Sequence, residues 1–183
     1  MDGSFSKIQI SDTDHPYFKY FWEIYNENFP LVEKRVIIQQ KQIFPHPAYH
    51  LLGFLSNQKL KAFIAYWTFE EFNFIEHLAI DKTAQDKGLG SEILTYFLKR
   101  NTKPVILEIE HPEDEQTNKR LSFYQKLGFV KNQFNHFQPP FHDGNSPLNL
   151  LILSYRKEIS KELYDKFAKI QKNTIMKHTD FRQ

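Results

Sequence analysis

Leu78-Ala79-Ile80-Asp81-Lys82-Thr83-Ala84-Gln85-Asp86-Lys87-Gly88-Leu89-Gly90-Ser91 is the stretch on which the fold turns. Upstream of it, Phe72 to Ile80 is apolar on both faces. Phe72, Phe74, Leu78 and Ile80 alternate with Ile75 and Ala79, which predicts a strand inside a sheet with Glu76 on the Phe74, Leu78 and Ile80 side and His77 opposite. Downstream, Ile93, Leu94, Phe97 and Leu98 fall at helical spacing, and Pro104 leads into a second strand, Val105 to Glu110. Strand, loop, helix and strand in that order form a right-handed crossover that makes the two strands parallel neighbours. Gly88 and Gly90 let backbone amides approach an anion, and the helix they open carries about half a positive charge at its N-terminus. A Gly-x-Gly pair alone is equally a plain turn. The loop lacks the Lys-Ser/Thr of a nucleotide P-loop and the third glycine of a dinucleotide fingerprint, so its context must decide.

Working outward, Lys7 to Ser11 reads as a short strand, and Asp12 or Asp14 can cap the helix that runs to about Asn28. Val32 to Gln42 reads as a second helix with Val36, Ile37 and Ile43 on one side. His50 to Leu55 and Leu60 to Phe69 flank the polar turn Ser56-Asn57-Gln58-Lys59 and predict a hairpin. Glu113-Asp114-Glu115 opens a further helix with Leu121, Tyr124 and Leu127 inward and Gly128 at its end. A strand begins at Phe129, and Leu148 to Tyr155 is the last one. Residues 1–157 form one domain in this reading. From 158 to 183, Leu163, Phe167 and Ile170 mark an amphipathic helix that packs on the domain or on a second subunit.

A second motif, Arg120-Leu121-Ser122-Phe123-Tyr124-Gln125-Lys126-Leu127-Gly128-Phe129, follows the first in the chain. Together the two resemble the GNAT superfamily of acetyl-CoA-dependent N-acetyltransferases: Gln85, Gly88 and Gly90 match its Gln/Arg-x-x-Gly-x-Gly/Ala, and Tyr124, Gly128 and Phe129 its Tyr-x-x-x-Gly-Phe. The resemblance covers roughly residues 72 to 132. It implies an α/β three-layer fold, with a mostly antiparallel sheet of about seven strands, a central splayed parallel pair and helices on both faces. It implies acetyl-CoA as co-substrate and direct transfer of acetyl to an amine of a small molecule, peptide or protein. The backbone of Leu78, Ala79 and Ile80 would pair with the pantetheine arm. The pyrophosphate would rest on amides of Gln85, Asp86, Lys87, Gly88, Leu89, Gly90 and Ser91. Where the family has an Asn seven positions before the Tyr, this chain has Thr117, with Asn118 one place later; in this reading the contact falls to Asn118.

An alkyl ammonium has a pKa of about 10.4, and freeing its nitrogen at neutral pH costs on the order of 4–5 kcal/mol, so a base or water path is useful. Glu76 resembles the position from which several family members supply one, and Tyr124 the group that protonates the departing thiolate. The bland alternatives are a substrate-positioning Glu and a core tyrosine. His77 reads as a hydrogen-bonded core residue. Glu33 and Arg35 lie where the family builds its acceptor side, although a solvated helix face explains them as well.

Lys and Arg total 24 against 22 acidic residues, so no general field recruits nucleic acid or an anionic membrane. No leader pattern or membrane-spanning apolar run is visible, which predicts a cytoplasmic protein. The absence of cysteine excludes a disulfide, a thiolate metal site and a cysteinyl acyl-enzyme. Glu108, Glu110, His111 and Glu113 to Glu115 lack metal-ligand spacing, so no metal is expected. The aromatic stretch Phe134 to His142 suits a substrate wall, a packed loop or a homodimer contact. Two rivals stand beside the enzyme: a non-catalytic acetyl-CoA-binding module, and a partner-binding domain in which the glycines are a mere turn.

Overall fold

The computed structural model describes residues 5–85 and 88–177. In chain order the elements are β1 (Ser6–Gln9), α1 (Phe18–Asn28), a 3-10 turn (Leu31–Glu33), α2 (Ile37–Ile43), β2 (Tyr49–Ser56), β3 (Lys59–Thr68) and β4 (Asn73–Ile80). A 3-10 turn (Lys82–Ala84), α3 (Leu89–Lys99), β5 (Val105–Glu110), α4 (Glu115–Lys126), β6 (Phe129–Lys131), β7 (His136–Gln138), β8 (Leu148–Tyr155), α5 (Lys161–Ile170) and a π-helical turn (Gln171–Ile175) follow among the described residues. The strands form one sheet in the order β1-β2-β3-β4-β5-β8-β6, with β7 pairing the other half of β8. All pairings are antiparallel except β4 with β5, the parallel pair that the crossover requires. Among the described residues no helix is long and apolar enough to cross a membrane.

Burial on both faces of the central strands dictates three layers. Along β3, Phe63, Ala65 and Trp67 join the core under α1, α2 and α5, while Ala62 and Ile64 join the core under α3 and α4. Two features of β4 then shape everything near it. Its pairing with β5 spans only Asn73–Ile75 against Val105–Leu107, after which the strands part. Its pairing with β3 slips by one residue at Glu76, since Tyr66 faces Ile75 but Ala65 faces His77. Such a bulge breaks the alternation of faces. Phe74 and Ala79 therefore belong to the α1 face with Glu76 and His77, whereas Ile75, Leu78 and Ile80 belong to the α3 face. This corrects the reading that put Glu76 with Leu78 and Ile80 and opposite His77.

Other differences have local causes. Asp12 accepts from the Asp14 amide in a tight turn, so α1 begins only at Phe18. The predicted Val32–Gln42 helix is broken by extended backbone at Lys34 and Val36. In α2 it is Gln39, Gln40 and Ile43 that are buried, and Ile37 and Ile38 that face solvent. The glutamines find buried partners: Gln39 donates to the Phe141 carbonyl (2.9 Å) and Gln40 to the Tyr49 hydroxyl (2.8 Å). β7 is the strand beyond the expected seven, three residues hidden in the aromatic stretch before its prolines.

Phe167 of α5 is fully buried against the rings of Phe72 (5.7 Å) and Phe74 (5.1 Å). Phe167→Ala is expected to cost about 3–5 kcal/mol in urea denaturation. Phe137→Ala, at a residue 52% exposed, should stay within about 0.5 kcal/mol.

Candidate active site

Where β4 and β5 part, a cleft of about 190 Å³ opens, lined by Glu76, His77 and Leu78 on one side and Glu108, Ile109 and Glu110 on the other. Asn28, Phe29 and Glu33 close it from the α1–α2 connection, and Arg120 and Tyr124 from α4. Beyond Ile75, β4 makes no ladder with β5, so this edge of the strand offers unpaired backbone groups along the cleft.

Glu76 lies on the bulge with its side chain 1% exposed and both carboxylate oxygens held by the Arg35 guanidinium, at 2.6 and 2.7 Å. Arg35, also buried, donates a further bond to the Ile175 carbonyl (2.9 Å) and lies over the Phe141 ring. Burial works to raise the Glu76 pKa, but Arg35 and then His77 outweigh it and hold the carboxyl at about 2. A carboxylate so engaged is a poor proton acceptor near neutrality. Glu76 is thus held as the counterion of Arg35. Arg35, fully enclosed, is neither an acceptor contact nor part of a solvated face. His77 fits the core reading: its Nε2–H donates to the Glu33 carbonyl (2.9 Å), and its ring packs edge-on against Tyr25 and Phe29.

The glycine loop ends at α3. Gly88 takes the N-cap position with φ +74° and provides no side-chain cap, and the first helical bond runs from Glu92 N–H to its carbonyl. The amides of Leu89, Gly90 and Ser91 are those a helix cannot satisfy internally. A Cβ on Gly88 would point into open space, whereas one on Gly90 would meet Ile80 Cδ1 at 3.0 Å and Phe123 at 3.5 Å. The first glycine therefore serves the backbone turn and the second the approach of helix to strand. Gln85 donates to the Ile80 carbonyl (3.1 Å), and Asn28 Nδ2 reaches the same oxygen at 3.4 Å, tying the loop to the end of β4. Asp86 and Lys87 lie outside the described residues. Asn118 is exposed and spends its side-chain N–H on the Asp114 carbonyl of its own helix (2.7 Å).

On the opposite wall, Glu108 accepts from His136 Nε2, from Gln138 Nε2 (2.9 Å) and from Gln171 Nε2 (2.7 Å). Glu110 pairs with Arg120. Sequence reasoning missed this arrangement around Glu108, because its partners lie 28 to 63 residues away in the chain. Tyr124 faces the cleft, and no described residue hydrogen-bonds its hydroxyl. Burial, partly opposed by Arg120, pushes its pKa up to about 12, so it stays protonated and can donate. The aromatic stretch is a packed loop for the most part: Phe134 stacks on Tyr164, Phe141 is buried, and His142 Nε2 reaches the Leu31 and Lys34 carbonyls.

Residues 39–131, about half the chain, match the sequence model of an acetyltransferase (GNAT) domain. A Bacillus subtilis protein named "Putative acetyltransferase YjbC" is 40% identical over 63 residues, which span 33% of this chain and 32% of that relative's length. Among solved structures, a "putative acetyltransferase from GNAT family" of Bacteroides thetaiotaomicron superposes with a TM-score of 0.86 at 24% identity, covering 93% of this chain and 98% of that one. A GNAT family acetyltransferase of Elizabethkingia anophelis with acetyl-CoA bound reaches a TM-score of 0.53 at 12% identity, covering 85% and 99%.

Arg35→Met would leave the Glu76 charge buried and unpaired, and is expected to cost about 3–5 kcal/mol in chemical denaturation; Arg35→Met with Glu76→Leu should recover most of it. Because the folded carboxyl titrates below its ordinary 4.5, its contribution is complete above pH 4.5 and is lost as pH falls through about 2. A stability profile over that range should therefore fall more steeply for the wild type than for the double variant.

Proposed function

Because the chain belongs to the GNAT acetyltransferase family, we propose that it moves an acetyl group from acetyl-CoA directly to the amine of a small molecule or peptide. The observation that carries this reading is a cleft in which the edge of β4 that leaves β5 meets the Tyr124 hydroxyl, with the N-terminus of α3 close to the end of that strand, where Gly90 approaches Ile80. The chemical fit supports it. Residues 76–79 of β4 present amide and carbonyl groups to an extended, amide-bearing arm, as a neighbouring strand would. The amides of Leu89, Gly90 and Ser91, at the positive end of α3 and beside a glycine that leaves space open, suit a pyrophosphate.

Acetyl-CoA supplies the acetyl group as a thioester, whose carbonyl carbon bonds to the acceptor nitrogen as the carbon–sulfur bond breaks. The protein's part is to hold the two reactants together and manage protons. Tyr124 donates its hydroxyl proton to the departing sulfur and is reprotonated as the amine nitrogen sheds its own. Glu76, held by Arg35, keeps β4 in its bulged course instead of taking a proton. Glu108, gripped by three donors, fixes the facing wall.

In a thiol-release assay, Tyr124→Phe should lower kcat by about 100-fold while leaving the affinity for acetyl-CoA unchanged. Unchanged turnover in this variant would remove Tyr124 from the chemistry. Saturable acetyl-CoA binding without transfer to any amine would favour a binding module instead.

A further inference from the structure

The acceptor side of the cleft is uneven in its charges. Four carboxylates line it, and three are committed: Glu76 to Arg35, Glu108 to His136, Gln138 and Gln171, and Glu110 to Arg120. Among the described residues no hydrogen bond or ion pair engages the Glu33 side chain, although it is only half-exposed. Burial and the neighbouring Glu110 both disfavour its charge, with Arg120 and His77 opposing them. Such a carboxylate gains most from a cation brought by a ligand. It shares the cavity with the Tyr124 hydroxyl, which no described residue hydrogen-bonds.

The chain on either side of Glu33 is unusual for the opposite reason. Leu31 and Val32, in the same 3-10 turn, and Ile37 and Ile38, at the start of α2, are 58%, 44%, 52% and 51% exposed. Four large apolar side chains within eight residues are left in water although the sequence had two buriable glutamines to expose instead. Nor is this a slack loop. His142 Nε2 reaches the Leu31 and Lys34 carbonyls (3.0 and 2.9 Å), His77 donates to the Glu33 carbonyl (2.9 Å), and the Arg35 amide donates to the Tyr25 hydroxyl (2.9 Å). An apolar surface on a fixed backbone, continuous in the chain with a free carboxylate at a reaction cleft, is preorganised for a ligand that carries both characters.

Building on the acetyltransferase reading, we propose that the acceptor is an amphipathic primary amine. Its ammonium group is received by Glu33, and its apolar body lies on Leu31, Val32, Ile37 and Ile38. Glu33 holds the nitrogen at the cleft and takes the proton that the ammonium must lose before it attacks, passing it to solvent at the mouth. The apolar residues set specificity by length and bulk.

The test is a series of straight-chain amines from butylamine to octylamine, assayed by thiol release with the wild type, Glu33→Gln, Glu33→Asp and Ile37→Ser/Ile38→Ser. Acetyl-CoA affinity is measured on each by calorimetry, and folding by circular dichroism. For the wild type kcat/KM should rise about twofold to fourfold per added methylene. Glu33→Gln should lower it about tenfold or more for every amine, with acetyl-CoA affinity intact and partial recovery in Glu33→Asp. Ile37→Ser/Ile38→Ser should flatten the dependence on chain length. Glu33→Gln equal to the wild type, a flat length series, or acetyl-CoA binding with no turnover of these amines would each overturn this inference and leave the family reading standing. So would a dimer that Ile37→Ser/Ile38→Ser dissociates without altering amine preference. If acetyl-CoA does not bind, the acetyltransferase reading itself falls, and this inference with it.

Discussion

The ion pair between Arg35 and Glu76 is the constraint around which the cleft is arranged. A bulge turns Glu76 into the interior, where an ionised carboxylate alone would be very costly. Arg35 resolves this with two short bonds, and in doing so fixes three distant segments. It anchors the connection between α1 and α2, the bulged part of β4, and the C-terminal turn through the Ile175 carbonyl. The aromatic loop closes over it with Phe141. Such a pair adds little net stability compared with well-packed apolar residues, but once present it can be removed only as a whole. Its value here is geometric: it sets the path of β4 where that strand leaves β5.

The wall on β5 follows the same logic with three partners in place of one. Glu108 is satisfied by His136 and Gln138 from β7 and by Gln171 from the C-terminal turn, so both walls depend on segments that arrive late in the chain. This explains why α5 and the turn after it are tied so closely to the sheet. Phe167 sits in the core, and the next turn contributes one hydrogen bond to each wall, from Gln171 to Glu108 and from Arg35 to Ile175. The splayed strands are thus braced from behind, and the cleft between them stays open without a backbone ladder.

Much of the fold was legible because its signals are local. The apolar runs of β4 and β5, the Gly88–Gly90 loop, the α3 stripe and the acidic start of α4 each announce an element, and their order dictates the parallel pair. The site was legible in part. Tyr124 was placed at the cleft by its motif, whereas the setting of Glu76 was not, because strict alternation of faces fails at a bulge that no single residue betrays. The faces of α2 were misread for a related reason. Periodicity counts isoleucines as inward, but tertiary hydrogen bonds to Phe141 and Tyr49 bury Gln39 and Gln40 in their place. Arg35 looked like one more surface charge, since only the folded bulge provides its partner.

Everything functional in this account rests on the cleft between β4 and β5 accepting acetyl-CoA. The most direct measurement is calorimetric titration of acetyl-CoA into the wild type and into Gly88→Trp. This substitution carries about 1–2 kcal/mol of backbone strain at its positive φ and directs its bulk into the open space before α3. The account predicts saturable one-to-one binding to the wild type and its loss in the folded variant. No binding to the wild type, or equal binding to both, would contradict it.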